Sequence, residues 1–243
     1  MDNSKSQLVL VTGASRGIGL GIAKAFANNG DKVVLVGRQD KKQMQDAMET
    51  LACHGGYCTD LSDYIQAQAL HAQVTAAYGS VDVLVNCAGI AYFGLFADMQ
   101  EADWQHVLAH NLHTVIHMSH LVTPDMVRKR SGCIINISSV WGLTGASCEA
   151  VYAAAKGAVN IFTQSLAKEL GPSGVRVNAI ACGAFDTRMN DRLSPDEKST
   201  FTEGIPLGRF GEPDEAGTLA VFLASPQASY LTGQIIRLDG GLV

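Results

Sequence analysis

The sequence lacks the features that mark membrane, secreted and nucleic-acid-binding proteins. No apolar run approaches the roughly 18 residues that a membrane-spanning helix needs, and residues 1–7 (MDNSKSQ) lack the charged and then apolar layout of a signal peptide. The formal charge is −5, and the basic cluster at residues 128–130 is only three residues long, whereas nucleic-acid-binding proteins carry a clustered Lys/Arg surface. We therefore expect a soluble cytoplasmic protein that binds neither a membrane nor a nucleic acid.

Cysteine is present but is not arranged to build a site. The six cysteines occur without a Cys-x-x-Cys pair or a matching Cys/His spacing, which argues against a disulfide framework and against a zinc site. We expect no metal centre. Most of the thiols should be buried and reduced: Cys53, Cys58, Cys87, Cys133, Cys148 and Cys182.

The chain does contain a series of short apolar segments of strand length. Most are followed by a stretch with helical character, as at residues 33–37, after which a helix is expected from Asp40. Such alternation is typical of a parallel sheet covered on both faces. We predict an α/β fold, a single-domain Rossmann-type doubly wound sheet with strands near residues 8–12, 33–37, 81–86, 133–138, 175–180 and 234–238. A third strand before Asp60 should be short, because two glycines there lower strand propensity.

No repeat, low-complexity segment or linker divides the chain, so residues 1–243 are predicted to form one domain. Residues 188–211 are polar and fall between the strand near Val177 and the helix near Ala216. Structureless loops of that length are uncommon in compact domains and usually have a function. We predict a lid over a substrate cleft, with which a pair of packed surface helices would be compatible.

A glycine-rich turn follows the first strand directly. Residues 12–19 read TGASRGIG, which places Gly13, Gly17 and Gly19 just before the helical pattern from Leu20. Glycines let the backbone turn sharply and approach a pyrophosphate, whose charge is stabilised by the N–H groups and dipole of the helix N-terminus. A tight strand–helix turn without a ligand is the alternative, but the position after the first strand favours nucleotide binding.

The residue that selects the cofactor is expected at the end of the second strand. An acidic residue there would hold the ribose 2′-hydroxyl of NAD, whereas an arginine can hold the 2′-phosphate of NADP. The chain has Arg38 after Gly37, and Arg16 lies in the glycine-rich turn. Two guanidinium groups near one phosphate favour NADP(H). In the alternative, Arg38 is a solvated charge and Asp40 binds the ribose.

Tyr152 and Lys156 are four residues apart, a spacing that puts both side chains on one face of a helix. An isolated tyrosine has a pKa near 10, and a fixed positive charge within roughly 4–6 Å favours its phenolate. Such a pair can protonate an oxyanion as it forms. The spacing alone is equally compatible with a surface pair, so its meaning depends on the neighbouring motifs.

Those motifs resemble the short-chain dehydrogenases/reductases over nearly the full length of the chain. They are, in order, residues 12–19 (TGASRGIG), 86–89 (NCAG), Asn111, 137–139 (ISS), the Tyr152 and Lys156 pair, and 238–241 (LDGG). The resemblance implies that Ser139 binds a substrate carbonyl and that Tyr152 gives the proton. It also implies that Lys156 lowers the tyrosine pKa and binds the nicotinamide ribose, and that Asn111 holds a water that relays protons.

The resemblance further implies an NADPH/NADP site. Asp60 and Leu61 would bind adenine, and Thr187 would contact the nicotinamide amide. One departure is Cys182, where relatives usually have proline, so the turn loses a fixed φ and gains a thiol; either an oxidation-sensitive thiol or a small apolar filler is possible. The cofactor-binding residues would be Gly13, Ser15, Arg16, Gly17, Ile18, Gly19, Arg38, Asp60, Leu61, Asn86, Ala88, Gly89, Tyr152, Lys156 and Thr187.

Two substrate classes follow from the resemblance. Residues 12–19, 206–211 and 228–234 are similar to bacterial 3-oxoacyl-(acyl-carrier-protein) reductases of fatty acid biosynthesis, and the basic cluster 128–130 could then receive the acidic carrier or be only a solvated helix end. Residues 139–149 resemble elongation factor P 5-aminopentanone reductases, whose ketone is part of a modified lysine. Glu149 could attract that cationic substrate or simply face the helix dipole.

A different class of function, an NADP-binding protein without catalysis, is also open. Degenerate relatives are expected to lack at least one residue of the set Asn111, Ser139, Tyr152 and Lys156, which is intact here. The intact set therefore favours an enzyme.

Five histidines recur at spacings of 4, 3, 4 and 3: His106, His110, His113, His117 and His120. On one regular helix they would form a band about 80° wide, and Asn111 would point roughly 140° away from its middle, so the band would not be the catalytic face. Relatives assemble as tetramers through this helix, and a homotetramer is expected here. The histidines could lie at that interface or form a solvated stripe.

Overall fold

The computed structural model describes residues 6–51, 53–190 and 194–243. Residues 1–5, part of the segment examined for a signal peptide, therefore lie outside the described residues. In the described part, no helix is long and apolar enough to span a membrane.

Seven strands in the described ranges form one parallel sheet in the order β3-β2-β1-β4-β5-β6-β7. The predicted fold and strands are confirmed, with ends that shift by one or two residues. The strands are β1 Leu8–Thr12, β2 Lys32–Gly37, β3 Gly55–Cys58, β4 Val83–Asn86, β5 Gly132–Ser139, β6 Val175–Cys182 and β7 Ile235–Leu238.

Helices cover both faces of the sheet. The α-helices are α1 Gly17–Asn28, α2 Lys41–Leu51, α3 Tyr64–Tyr78, α4 Glu101–Leu108, α5 Thr114–Lys129, α6 Trp141–Thr144, α7 Ala150–Leu170, α8 Pro195–Glu203 and α9 Pro213–Ala224. Short 3₁₀ turns lie at Phe96–Asp98, Gly171–Ser173, Arg188–Asn190 and Pro226–Ala228. Strand β1 illustrates the packing, because Val9 and Val11 join the core under α1, α2 and α9, whereas Leu8 and Leu10 join the core under α3, α5 and α7.

Strand β3 is short, as predicted, with four residues. Its glycines also have a packing role, because a Cβ on Gly55 would lie 2.4 Å from the Tyr78 hydroxyl and a Cβ on Gly56 would lie 2.4 Å from the Met48 sulfur. The side chains of α2 and α3 thus pack directly against the strand, and a larger residue would require Tyr78 or Met48 to move.

The histidine-containing stretch is not one regular helix. Between α4 and α5, residues Ala109–His113 form a π-helical turn. Such a turn accommodates an extra residue, so a rotation of 100° per residue does not continue across it, and the predicted single band is wrong. His110 and Asn111 are instead both buried and both line the same cleft.

The basic cluster 128–130 ends α5 at the edge of the sheet where the strands begin. The Nζ atom of Lys129 lies 2.7 Å from a carboxylate oxygen of Asp82, directly before β4. Arg130 donates to the carbonyl of Pro172 at 3.1 Å, before β6. The cleft described below lies at the opposite edge, so the predicted carrier-binding surface beside the cleft is wrong for a single chain.

The segment 188–211, predicted to be a lid, includes residues 191–193, which lie outside the described residues. Its ends are joined to each other by main-chain hydrogen bonds. Gly211 donates to the carbonyl of Ala184 at 2.9 Å, and Asp186 donates to the carbonyl of Gly211 at 2.9 Å. The segment therefore leaves and re-enters the fold at one place, after β6.

Candidate active site

A cleft of about 2070 Å³ lies across the carboxyl ends of the strands. It crosses the point between β1 and β4 where the strand order reverses, which is where open α/β sheets bind ligands. Its volume exceeds the roughly 300–1,000 Å³ of ordinary small-molecule pockets, so it has room for a dinucleotide together with a substrate.

The glycine-rich turn at one end of the cleft fits a pyrophosphate. Gly13 has a φ of +66° and Gly17 a φ of +54°, in the left-handed region that side chains disfavour. A Cβ on Gly13 would also come within 2.9 Å of the backbone of Ala88. Ser15, Arg16, Ile18 and Gly19 line the cleft with them at the N-terminus of α1, which fits an anionic group.

Two arginines border the turn. Arg38, directly after β2, and Arg16 both line the cleft. A Cβ on Gly37, the last residue of β2, would lie 3.5 Å from the Ser15 hydroxyl. Asp40 is used elsewhere, since its carboxylate accepts the N–H of Gln43 at 2.9 Å and begins α2. Arg16 and Arg38 therefore line the cleft, whereas Asp40 does not.

Asp60 and Leu61 line the next part of the cleft. Asp60 Oδ1 accepts hydrogen bonds from the N–H of Ser62 at 3.0 Å and from its hydroxyl at 2.7 Å. Burial alone would raise the pKa of Asp60, but the Ser62 hydrogen bonds, then His110 when it is protonated and the positive charge of Arg38 outweigh it, so the pKa is lowered. The carboxylate is therefore available as an acceptor.

Ala88 and Gly89 follow β4 and line the cleft. The hydroxyl of Thr12 holds this turn by accepting the N–H groups of Cys87 at 3.0 Å and Ala88 at 3.1 Å. Sequence reasoning missed this role of Thr12, although the residue begins the TGASRGIG motif.

Asn86 is the exception among the predicted nucleotide contacts. Its side chain is buried and donates to Ser119 at 3.1 Å and to Asn136 at 2.9 Å, so it does not line the cleft. An asparagine on a strand that is covered on both faces has to find partners inside the core. Asn86 thus ties β4 to β5 and α5 and does not reach the ribose region.

Tyr152 and Lys156 share one face of α7, as predicted, and are 8% and 5% exposed. The Lys156 Nζ lies 5.8 Å from the centroid of the Tyr152 ring. It donates to the main-chain carbonyl of Ile137, on β5, at 2.9 Å. The ammonium is therefore held between the strand and the tyrosine.

The pKa of Tyr152 is raised, whereas its spacing from Lys156 predicted that it would be lowered. Burial raises it well above its usual value, while a hydrogen bond with the Ser139 side chain lowers it and the charge of Glu149 raises it further. Burial also lowers the pKa of Lys156. Desolvation is thus the largest influence on the tyrosine pKa, and the expected lowering by Lys156 is not met.

Ser139 ends β5, beside Tyr152. Its Oγ accepts the N–H of Trp141 at 3.2 Å, which leaves the hydroxyl hydrogen available to Tyr152 or to a substrate oxygen.

Asn111 lies in the π-helical turn and is fully buried. Its amide donates to the carbonyls of Ile90 and Val107, each at 2.9 Å, and accepts the N–H of Ile90 at 3.3 Å. A Cβ on Gly89 would lie 2.7 Å from the Asn111 Oδ1 and 3.6 Å from the Lys156 Nζ. Asn111, the predicted relay residue, and Lys156 therefore lie beside the same glycine.

Thr187 and Cys182 line the part of the cleft at the end of β6. The Thr187 methyl would be 3.3 Å from a Cβ on Gly17, so Thr187 borders the glycine-rich turn. Cys182 is the last residue of β6, is buried, and pairs in register with Ser139 and with Leu238. Burial raises the pKa of Cys182 to about 12. The strand thus continues through the position where relatives have proline, and the thiol packs as a small apolar group.

Matches to known proteins cover the same residues. The family model described as enoyl-(acyl carrier protein) reductase matches residues 13–243. The chain belongs to the short-chain dehydrogenase/reductase family. It is 40% identical to the 3-oxoacyl-[acyl-carrier-protein] reductase of Chlamydia muridarum over 241 residues, which are 98% of this chain and 97% of that protein.

Other members of this family are similar over comparable lengths. The 3-oxoacyl-[acyl-carrier-protein] reductase of Thermotoga maritima is 38% identical over 243 residues, 98% of each chain. The uncharacterized oxidoreductase YmfI of Bacillus subtilis is 37% identical over 246 residues, 97% of this chain and 98% of that protein. The protein is accordingly a short-chain oxidoreductase that acts on CH–OH and C=O groups and uses a nicotinamide cofactor.

Proposed function

We propose that this short-chain reductase converts a 3-oxoacyl thioester on acyl carrier protein to the 3-hydroxyacyl thioester with NADPH. The proposal depends on one observation: Ser139, Tyr152 and Lys156 meet in the same cleft as a glycine-rich turn flanked by two arginines. Full-length similarity to 3-oxoacyl-[acyl-carrier-protein] reductases supports the choice of substrate.

The protein groups account for the proton in the reductive direction. Tyr152 donates its phenolic proton to the ketone oxygen, and burial keeps that phenol protonated until the transfer. Ser139 donates its hydroxyl hydrogen to the same oxygen while its Oγ accepts the N–H of Trp141. The Lys156 ammonium then stabilises the phenolate that remains.

Bound NADPH supplies the hydride. The N–H groups of the glycine-rich turn hold the pyrophosphate, and Lys156 binds the nicotinamide ribose. Thr187 contacts the nicotinamide amide, which its position against Gly17 supports. Lys156 and Asn111, which both surround Gly89, conduct a proton back to Tyr152 through water.

The preference for NADPH is assigned to Arg38 and Arg16, which would pair with the 2′-phosphate. R38D should lower kcat/KM for NADPH and raise it for NADH, whereas R128D, at the other edge of the sheet, should change neither. An unchanged ratio in R38D would refute the assignment.

The reaction itself is tested by NADPH oxidation with two thioesters. Turnover of a 3-oxoacyl thioester and none of a 2-enoyl thioester is expected. The enoyl arm matters because the matching family model carries an enoyl reductase description. Reduction of the enoyl thioester alone would overturn the proposal, and full activity of Y152F would overturn the assigned proton donor.

A second candidate is reduction of an aminoketone on a lysine of elongation factor P. Glu149 favours it, since this carboxylate lines the cleft near Tyr152 and its charge acts on the phenol. A cationic substrate would be attracted there, and an acidic carrier arm repelled. E149Q should weaken binding of an aminoketone and leave, or improve, that of a 3-oxoacyl thioester; the opposite result would remove this candidate.

We further infer that segment 188–211 is a lid and that the protein is a homotetramer. Glu197 and Phe201, on α8, line the cleft from outside the sheet, which supports the lid.

The proposed homotetramer is supported by exposed apolar residues on α5 and α7. Ile116 on α5 and Ile161 on α7 are 37% and 63% exposed, and apolar groups on these helices are suited to contact between copies. I161E should lower the mass measured by sedimentation; an unaltered mass would contradict the interface.

A further inference from the structure

His110 is a buried histidine whose second ring nitrogen has no partner. Its Nδ1 lies 3.0 Å from the carbonyl oxygen of His106. A carbonyl oxygen only accepts, so Nδ1 carries the proton, and the Nε2 of a neutral ring is then a bare acceptor. Nε2 is buried without a hydrogen-bond partner and faces the Asp60 Oδ1 at 3.7 Å.

Two acceptors that face each other inside a protein are unfavourable, and here the Asp60 oxygen already accepts from Ser62 whereas the His110 Nε2 has no donor. A proton on Nε2 would convert this contact to a charge-assisted pair. Histidine is the side chain that takes up a proton most readily between about pH 5 and pH 8. The geometry therefore gives His110 two states that differ in how firmly Asp60 is held.

Among the described residues, Asp60 and His106 face His110, and the charge of Arg38 acts on both of those neighbours. Asp60, from the loop between β3 and α3, favours a proton on Nε2, whereas the positive charge of Arg38, after β2, would oppose it. His106, on α4, has its ring centroid 4.1 Å from that of His110 and would also oppose it when charged. However, burial and then the charges of His110 and Arg38 lower the pKa of His106, so His106 loses its proton more readily than an ordinary histidine.

We propose that His110 is a proton-dependent positioning residue of the nucleotide site, which binds a proton at Nε2 when NADPH binds and thereby fixes Asp60 against the adenine. The inference rests on the proposed function, in which Asp60 lies in the adenine subsite. The Asp60 side chain is 36% exposed, so adenine would remove water from its carboxylate. The 2′-phosphate would add negative charge beside Arg38. Both changes favour a cation at His110.

Because the proton is bound more tightly in the complex, NADPH affinity should be greatest at low pH and should decline as the pH rises. H110N tests this, since asparagine can still donate to the His106 carbonyl but has no atom at Nε2. H113N is the matched control, because His113 is exposed in the same turn. The measurements are the NADPH dissociation constant at pH 6 and pH 8.5 and the protons taken up on binding, from calorimetry in two buffers.

Relative to the wild type, H110N should bind NADPH about fivefold more weakly at pH 6 and equally at pH 8.5. Taking this ratio cancels the titration of the 2′-phosphate itself. H110N should also take up fewer protons, while H113N should match the wild type. H110Q, which offers a permanent N–H near Asp60, should lose the proton uptake too and provides the test if H110N does not fold.

Proton uptake and a pH profile in H110N and H110Q equal to those of the wild type would overturn the role of His110. Failure of wild type and H113N alike to bind NADPH at either pH would overturn the proposed cofactor site instead.

Discussion

The Lys156 ammonium donates a hydrogen bond to the main-chain carbonyl of Ile137 at 2.9 Å. This bond joins the catalytic helix α7 to strand β5, whose end carries Ser139. The lysine therefore sets the position of the tyrosine helix relative to the serine strand in addition to supplying charge.

Replacing the ammonium should remove both effects. K156M is expected to lower kcat/KM for ketone reduction by about 10²- to 10⁴-fold, the usual contribution of a positioned acid–base group. K168M, on the exposed side of the same helix, should retain wild-type kinetics. Activity of K156M within a few-fold of K168M would contradict the assigned role.

Substitutions at Gly13 and Gly30 separate the cost of backbone strain from the cost of a steric clash. Both have a positive φ, but a Cβ on Gly30 would meet nothing within 4 Å, whereas one on Gly13 would meet the Ala88 backbone at 2.9 Å. G30A should cost only the strain of a left-handed residue, about 1 kcal/mol of the unfolding free energy, and keep NADPH binding. G13A should be less stable than G30A and lose NADPH binding, measured by urea unfolding and by NADPH fluorescence. Equal behaviour of the two would show that the close approach is unimportant.

The Thr12 hydroxyl accepts two N–H groups of the turn after β4. T12V keeps the shape but leaves both donors without a partner, at a cost of about 1–3 kcal/mol for each buried group. T12S retains the hydroxyl and should lose much less. Urea unfolding of the two variants checks this, and equal stabilities would count against it.

Glu215 should make a contribution to stability that depends on pH. Hydrogen bonding to Arg209, then the N–H of Glu212, lowers the pKa of Glu215 from 4.5 to about 2. Because the folded pKa is the lower one, the stabilisation is present above about pH 4.5 and is lost as the pH falls toward 2. The pair is largely exposed, so solvent screening keeps this contribution small. E215Q should be less stable than the wild type at pH 7, and this difference in unfolding free energy should shrink below pH 4.5. A difference that is constant with pH would argue against a contribution from the Glu215 charge.

The thiols beside Lys156 should resist alkylation. Burial raises the pKa of Cys87 and of Cys182 to about 12, from an ordinary value of 9. At pH 8.5 their thiolate fraction is then about a thousandfold below that of an ordinary cysteine. Iodoacetamide should modify neither residue in the native protein and both in urea, as measured by mass spectrometry. Rapid native labelling of Cys182 would favour an oxidation-sensitive thiol.

Features that depend on local pattern were predictable. The strands are apolar runs buried on both faces, and the helix that carries Tyr152 and Lys156 has the regular period that the prediction assumed. The glycine-rich turn lies at the cleft because it directly follows a strand, and the carboxyl ends of parallel strands meet at one edge.

Features that depend on tertiary contacts were not predictable from the sequence. Asn86 and Ala88 belong to one motif, yet only the side chain of Asn86 turns into the core, where Ser119 and Asn136 lie far away in sequence. The π-helical turn has no sequence pattern that would separate it from an α-helix, so His110 was assigned to the wrong face. The pKa of Tyr152 depends on how deeply the fold buries it, which spacing cannot give.

The junction between Ala184, Asp186 and Gly211 has a consequence for evolution and engineering. Residues 186–211 start and finish at one anchored point, and Leu207 donates to the carbonyl of Gly240, so changes between Thr187 and Leu207 are not expected to displace β6 or α9. We expect that part of the segment to be exchangeable. A reductase of this architecture can therefore acquire a new substrate range by replacing one stretch of chain, while the hydride and proton chemistry beneath it stays intact.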